Sequence, residues 1–186
     1  LTYSAPSLAR YALLWRHSTL DIARERAREL GLRGAAFAWR TIRGEECSGY
    51  WPAGMAAFHI NADIADAVRR YVLVSGDDEF ERDIGLELLV ETARLWASLG
   101  HFAVDGSCRI EGVTGPDEYS ALADNNSYTN LMAQANLDAA RESVSRHPRQ
   151  AGELGVADVE RELWRRAAEK MYVPFDRQLG IHPQDQ

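Results

Sequence analysis

Over most of this chain an apolar residue returns every three or four positions, and that spacing commits the chain to packed helices. Across residues 6–30, Leu8, Tyr11, Ala12 and Trp15 trace one stripe. After a break near residues 16–18, Leu20, Ala23, Ala27 and Leu30 trace a second, which Gly31 is placed to end. A third helix is expected over residues 58–74, stopped by Gly76. A fourth opens on Asp77 and Asp78, whose charge suits the positive end of a helix, and runs to Leu99. Helices resume over residues 126–146, through Tyr128, Leu131, Met132, Ala135 and Leu137, and over residues 156–171, through Val159, Leu163, Ala167 and Met171, with His147-Pro148 between them. Trp15, Trp96, Met132 and Trp164 read as core. A period of two appears between residues 102 and 113, around Asp105-Gly106, and reads as a short β-hairpin. Strands do not alternate with helices and no repeat of fixed length is visible, so the fold class is all-α.

Two interruptions of the helical pattern draw attention. Residues 34–54 carry Gly, Pro and Trp without period and are too many for a plain connector, which marks a functional loop; Trp39, Arg40, Glu45, Glu46 and Trp51 lie on it. The run Gly112-Val113-Thr114-Gly115-Pro116-Asp117-Glu118-Tyr119 sets a carboxyl pair in a rigid turn between two helical regions. Gly115 is expected to use backbone angles closed to other residues, Pro116 fixes its own φ, and Tyr119 offers an aromatic wall with one polar tip. Glu118 is therefore a candidate general acid, in a pocket where desolvation would keep it protonated near neutral pH. The competing reading is a capping or surface carboxylate. Asp117 either orients its neighbour or bonds the loop backbone, and Asn125 and Asn126 read as turn and N-cap residues.

Composition narrows the function classes. The 186 residues, 46% hydrophobic, suffice for one globular core. A formal charge of −7, with Lys and Arg scattered among acids, argues against a nucleic-acid partner. No apolar run approaches the roughly 18 residues of a membrane span, and the first residues do not resemble a leader, so no membrane partner and a cytoplasmic setting are expected. Cys47 and Cys108 read as reduced thiols, and His17, His59, His101, His147 and His182 lack metal-site spacing, so no metal is expected. His59, near the start of a helix, is expected to make a local hydrogen bond, and Glu45-Glu46 reads first as a solvated pair. The chain opens without Met and in mid-pattern, as a piece of a longer protein would.

Five motifs now stand in order: Gly34-Ala35-Ala36-Phe37-Ala38-Trp39, Gly44-Glu45-Glu46, Phe58-His59-Ile60-Asn61-Ala62-Asp63-Ile64, Gly115-Pro116-Asp117-Glu118-Tyr119, and Asp124-Asn125-Asn126-Ser127-Tyr128-Thr129-Asn130. In this register they resemble glycoside hydrolase family 65, the inverting phosphorylases of maltose, trehalose, kojibiose and related α-glucosides. The resemblance implies that residues 1–186 form part of an (α/α)6-barrel catalytic domain, roughly its middle half. It places the family's general acid on Glu118 and a tryptophan of the sugar site on Trp39. Arg40 stands where several members carry an acid that helps choose the acceptor sugar, and Ala38 where proline is common. Glu46, His59 and Asn61 fall in motifs that line the pocket. The implied reaction cleaves a trehalose- or kojibiose-type disaccharide with inorganic phosphate as co-substrate and no other cofactor. Phosphorolysis needs only the acid, because phosphate arrives already anionic, whereas inverting hydrolysis also needs a base about 6.5–9.5 Å away. The family's phosphate-binding groups and hydrolytic base lie downstream of this chain. A hydrolase of the same fold, a non-catalytic helical scaffold and a homo-oligomeric assembly stay open at this point.

Overall fold

The computed structural model describes residues 1–117 and 121–186, and of Ala53 the backbone alone. Its helices are α1 (Pro6–Ser18), α2 (Leu20–Glu29), α3 (Trp51–Ala56), α4 (His59–Ser75), α5 (Asp78–Phe80), α6 (Leu86–Leu99), α7 (Ser127–Arg146), α8 (Pro148–Glu153) and α9 (Asp158–Glu169). The strands β1 (His101–Phe102) and β2 (Cys108–Arg109) pair antiparallel, with His101 opposite Arg109 and Phe102 opposite Cys108. Helix-rich with one small sheet, the chain has the expected class.

The ends of these helices follow their punctuation. Gly76 terminates α4 in the left-handed region at φ 65°, where a Cβ would be strained. Asp77 then caps α5 by accepting from the Phe80 amide at 2.9 Å, and its other oxygen accepts from the Tyr71 hydroxyl at 2.7 Å. Between α5 and α6 the backbone widens into a π turn, Glu81–Gly85. That turn carries the buried Glu81 carboxylate, which Arg146 and His147 at the end of α7 bind. Asn126 caps α7, accepting from the Thr129 amide at 3.0 Å. Helix α8 was hidden in the sequence by the His147-Pro148 break; Pro148 in fact starts it, since its missing N–H costs nothing in the first helical turn.

Helix α7 packs against α4, α6 and α9, and the core lies among them. Trp96, Leu88, Leu89, Leu137, Val68 and Trp164 are fully buried there. Each such side chain contributes about 1.5–3 kcal/mol by leaving water. Two polar side chains inside are paired across elements: the Trp96 indole N–H donates to Asn136 Oδ1 at 3.0 Å, and Asn136 Nδ2 donates to the Leu89 carbonyl.

Several expected stripes are rotated. In α1 the buried residues are Ala9 and Leu13, whereas Leu8 and Tyr11 are exposed and Trp15 is 39% accessible, so Trp15 is not core. In α7, Tyr128 and Leu131 face outward, and in α9 Val159 is exposed while Glu160 and Trp164 turn inward. Glu160 is buried because Arg94 grips it at 2.9 and 3.0 Å, an arrangement that apolar periodicity cannot register.

That pair belongs to a chain of charges joining four helices. His17 of α1 and Arg24 of α2 both reach Glu87 at 2.7 Å, Arg24 reaches Glu91 at 3.2 Å, and Arg94 links Glu91 to Glu160 of α9. The His17 ring, with Arg24 assisting and burial opposing, pulls the Glu87 carboxyl down to about 2. An unfolded Glu87 would titrate near 4.3. Stability from this group is therefore present in full above that value and is lost as pH falls toward 2. Urea unfolding across pH 6 to 2.5 should show the difference between the native chain and Glu87→Gln shrinking through that window; a constant difference would show that the carboxylate is not held in this way.

Candidate active site

The loop between α2 and α3 begins as coil threaded through the helical core. Gly34, at φ 74°, lies so close to α6 that a Cβ would sit 2.1 Å from the Glu91 carbonyl oxygen. Ala35 to Ala38 follow, all buried and small apart from Phe37. Because this backbone forms no ladder, its polar groups find partners one by one. The Ala35 amide donates to Glu91 O at 3.1 Å, the Ala36 amide to Ala23 O at 2.9 Å, and the Phe37 amide to Asn61 Oδ1 at 2.8 Å. From α2, the Arg26 guanidinium donates to the carbonyls of Ala36 at 3.2 Å and Phe37 at 2.9 Å, and also to that of Gly54.

Trp39 emerges from this anchored segment half-buried. Its amide donates to Glu46 Oε2 at 2.7 Å, while the Ser48 amide, at 2.7 Å, and the Ser48 hydroxyl donate to Oε1. The Cys47 amide closes the turn on the Arg40 carbonyl at 2.9 Å, and the Arg40 guanidinium stacks 4.5 Å from the Trp39 ring centroid. Burial would raise the Glu46 carboxyl, but the Ser48 donors, the Trp39 amide and the Arg26 charge outweigh it and hold it below the ordinary range. Glu46 is thus an ionised organiser of the loop, suited to accept protons' hydrogen bonds and not to donate one. Beside it a groove of about 540 Å³ runs between α2 and α3, lined in part by Ile22, Arg26, Glu46, Trp51 and Met55.

Asn61 and His59 sit in the first turn of α4. Asn61 is fully buried, accepting from Phe37 and donating from Nδ2 to Phe58 O at 2.9 Å. His59 is also buried, and its Nδ1 makes a long-range bond to the Thr114 carbonyl at 3.2 Å. Its ring meets Tyr128 edge-on at 6.3 Å.

Thr114 joins α3 and α4 to the second interrupting loop. Its amide donates to Ala56 O at 3.0 Å and its hydroxyl to Ala121 O at 2.6 Å. Val113 and Ala123 exchange both backbone bonds, at 3.0 and 2.8 Å, and so close the loop at its base. Gly115 does not use the left-handed backbone expected of it; it is required for space, since a Cβ would lie 2.7 Å from Asn126 Nδ2. Asn125 does adopt a positive φ, 49°, and its Oδ1 accepts from the Ile110 amide and from Asn130. Glu118, with Tyr119, lies outside the described residues.

The structure therefore gathers Trp39, Arg40 and Glu46 on one loop, ties that loop to Asn61 through Phe37, and ties His59 to the stem of the Glu118 loop. Sequence reasoning missed Arg26 and Thr114. Arg26 looks like any solvated arginine on the polar face of α2, and the Thr114 contacts are long-range.

The whole chain, residues 1–186, matches the family model for the glycosyl hydrolase family 65 central catalytic domain. The chain belongs to glycosyl hydrolase family 65. It is 56% identical over 184 residues to an uncharacterized glycosyl hydrolase of Mycobacterium tuberculosis, covering 99% of this chain and 23% of that protein. To an alpha,alpha-trehalose phosphorylase of Geobacillus stearothermophilus it is 50% identical over 189 residues, covering 97% of this chain and 25% of the relative. A solved structure named "Putative kojibiose phosphorylase from human microbiome" superposes with a TM-score of 0.91 at 26% identity, over 99% of this chain and 25% of that one. This family 65 chain spans about a quarter of the length of these relatives.

Asn61→Ala would leave the buried Phe37 N–H without its acceptor, while the Phe58 carbonyl keeps the bond from the residue 61 amide. The expected cost is about 1–3 kcal/mol, read as a lower urea midpoint at unchanged slope. An unshifted midpoint would show that the threaded segment does not depend on this side chain.

Proposed function

We propose that the protein to which this chain belongs is an inverting α-glucoside phosphorylase of the cytoplasm, and that residues 1–186 supply part of an (α/α)6 barrel carrying its proton donor, Glu118. The observation that carries this reading is the relatedness to trehalose phosphorylases. Two of them are 50% and 46% identical to nearly the whole chain, against 35% for a maltose phosphorylase and 34% for a kojibiose phosphorylase. A trehalose-type disaccharide is accordingly the favoured substrate.

In this reading Glu118 protonates the glycosidic oxygen while inorganic phosphate attacks the anomeric carbon from the opposite face. The C–O bond to the departing sugar breaks as the C–O bond to phosphate forms, through an oxocarbenium-like state. The released sugar keeps the proton, and the glucosyl group leaves as β-glucose 1-phosphate. No base is required, and the phosphate dianion favours the protonated form of Glu118. Trp39 supplies an apolar face for a sugar ring, held by the anchored segment before it, and in the same reading Arg40, stacked on that ring, helps to select the second sugar. Ionised Glu46 keeps this platform in shape.

In the full-length enzyme, Glu118→Gln should lower trehalose phosphorolysis by about 10²–10⁴ with folding retained. The assay is phosphate-dependent release of glucose 1-phosphate. Near-normal turnover of the variant would reject the acid assignment, glucose release without phosphate would mark a hydrolase, and neither product from the native enzyme would favour a scaffold.

A further inference from the structure

Helix α1 is apolar on two faces, and the described residues cover one of them. Ala9 and Leu13 are buried in the core. Leu8, Tyr11, Ala12 and Trp15, three and four residues apart, line a second face that stays open, with Leu8 55%, Tyr11 66% and Trp15 39% accessible. Single apolar side chains on a surface need no explanation, but a continuous helical ridge of them is what another helix packs against. The charge of α1 is one-sided as well, since it carries Arg10, Arg16 and His17 and no acid. Arg10 pairs with Asp77, and His17 with Glu87. Arg16 stacks 5.1 Å from the Trp15 ring centroid and donates to the Ala38 carbonyl at 3.3 Å, and among the described residues no carboxylate pairs with it. Burial, with no anion to offset it, pulls the Arg16 guanidinium below its ordinary value.

We propose that this face of α1 seats a helix of the same polypeptide, from outside residues 1–186, which lays an apolar side over Leu8, Tyr11 and Trp15 and brings an acid to Arg16. The proposal rests on the chain being one part of a longer protein, and not on the reaction assigned to that protein. Length and charge identify the occupant. This chain accounts for about a quarter of each relative described above, and a solved relative reproduces its fold over 99% of its residues, so in such proteins the greater part of the polypeptide lies outside a body of this shape. A second copy of the chain fits less well, because the same face on both partners would set one acid-free, cationic helix against another. An acid on the seated helix instead meets a guanidinium that has lost water and gained no counter-charge. The seat also adjoins the candidate site. Arg16 spans from Trp15 to the carbonyl just before Trp39, so the acid that pairs with it steadies a donor to the Trp39 loop.

The test uses the full-length enzyme and has two readouts, neither of which involves turnover, so its result is independent of the proposed reaction. Brief hydroxyl-radical exposure followed by peptide mapping reads the solvent access of Leu8, Tyr11 and Trp15 without altering the chain. These residues should be modified as slowly as the buried Trp96 and Trp164, on the order of tenfold more slowly than in urea, and equally at every enzyme concentration. In the second readout, Arg16→Lys places an amine beside the expected acid, and a carbodiimide should join it by an amide bond to an Asp or Glu of the same polypeptide outside residues 1–186. Modification of the ridge at its rate in urea would leave the face in open water. Protection lost on dilution, or a crosslink between two chains, would give the face to a second copy. A crosslink confined to residues 1–186, or none, would remove the acid. Each of these results overturns the proposal.

Discussion

The structure depends on satisfying a buried stretch of backbone that is neither helix nor strand. Residues 34–38 pass between α2, α4 and α6, and every turn of that passage uses a specific partner: the Glu91 and Ala23 carbonyls, the Asn61 amide group and the Arg26 guanidinium. An unpaired buried amide or carbonyl costs about as much as the net stability margin can absorb from a few such losses. The run of small residues follows from the same constraint, since Gly34 and its alanine neighbours let backbone approach backbone where side chains would hold the elements apart. What this threading delivers is position. Trp39 and Arg40 leave the core from a fixed point, and Glu46 folds the following turn back onto them.

A second fixed point is Thr114. It binds α3 through Ala56, receives His59 from α4 and closes on Ala121, so the loop bearing Glu118 is sprung from the same helices that hold the Trp39 platform. The two interruptions in the helical pattern, some eighty residues apart in sequence, thus share one support. They do so within a chain that matches the glycosyl hydrolase family 65 central catalytic domain throughout.

Much of this was legible in the residues. Gly31, Gly76, Asp77 and Asn126 marked helix ends correctly because caps are local chemistry, and Asp105-Gly106 marked the hairpin for the same reason. The motifs led to the right family. The faces of α1, α7 and α9 were less readable: Glu160, Asn130 and Asn136 are buried through partners far along the chain, while Leu8, Tyr11 and Val159 are exposed. Burial of a polar side chain is decided by what meets it in space, and periodicity carries no information on that. Gly115 was singled out for the wrong reason: it is needed for room and not for a left-handed backbone. His59 reaches across the fold to Thr114, a partner that spacing along the chain could not name.

The central claim, that residues 34–38 are as firmly built in as the helices around them, can be read from amide hydrogen exchange. The Ala35, Ala36 and Phe37 amides should exchange as slowly as those in the middle of α4 and α6, because all require the same opening event. Exchange of these three at the rate of the exposed Arg43 and Glu45 amides would mean that the segment opens independently, and the account of how the site is positioned would be wrong.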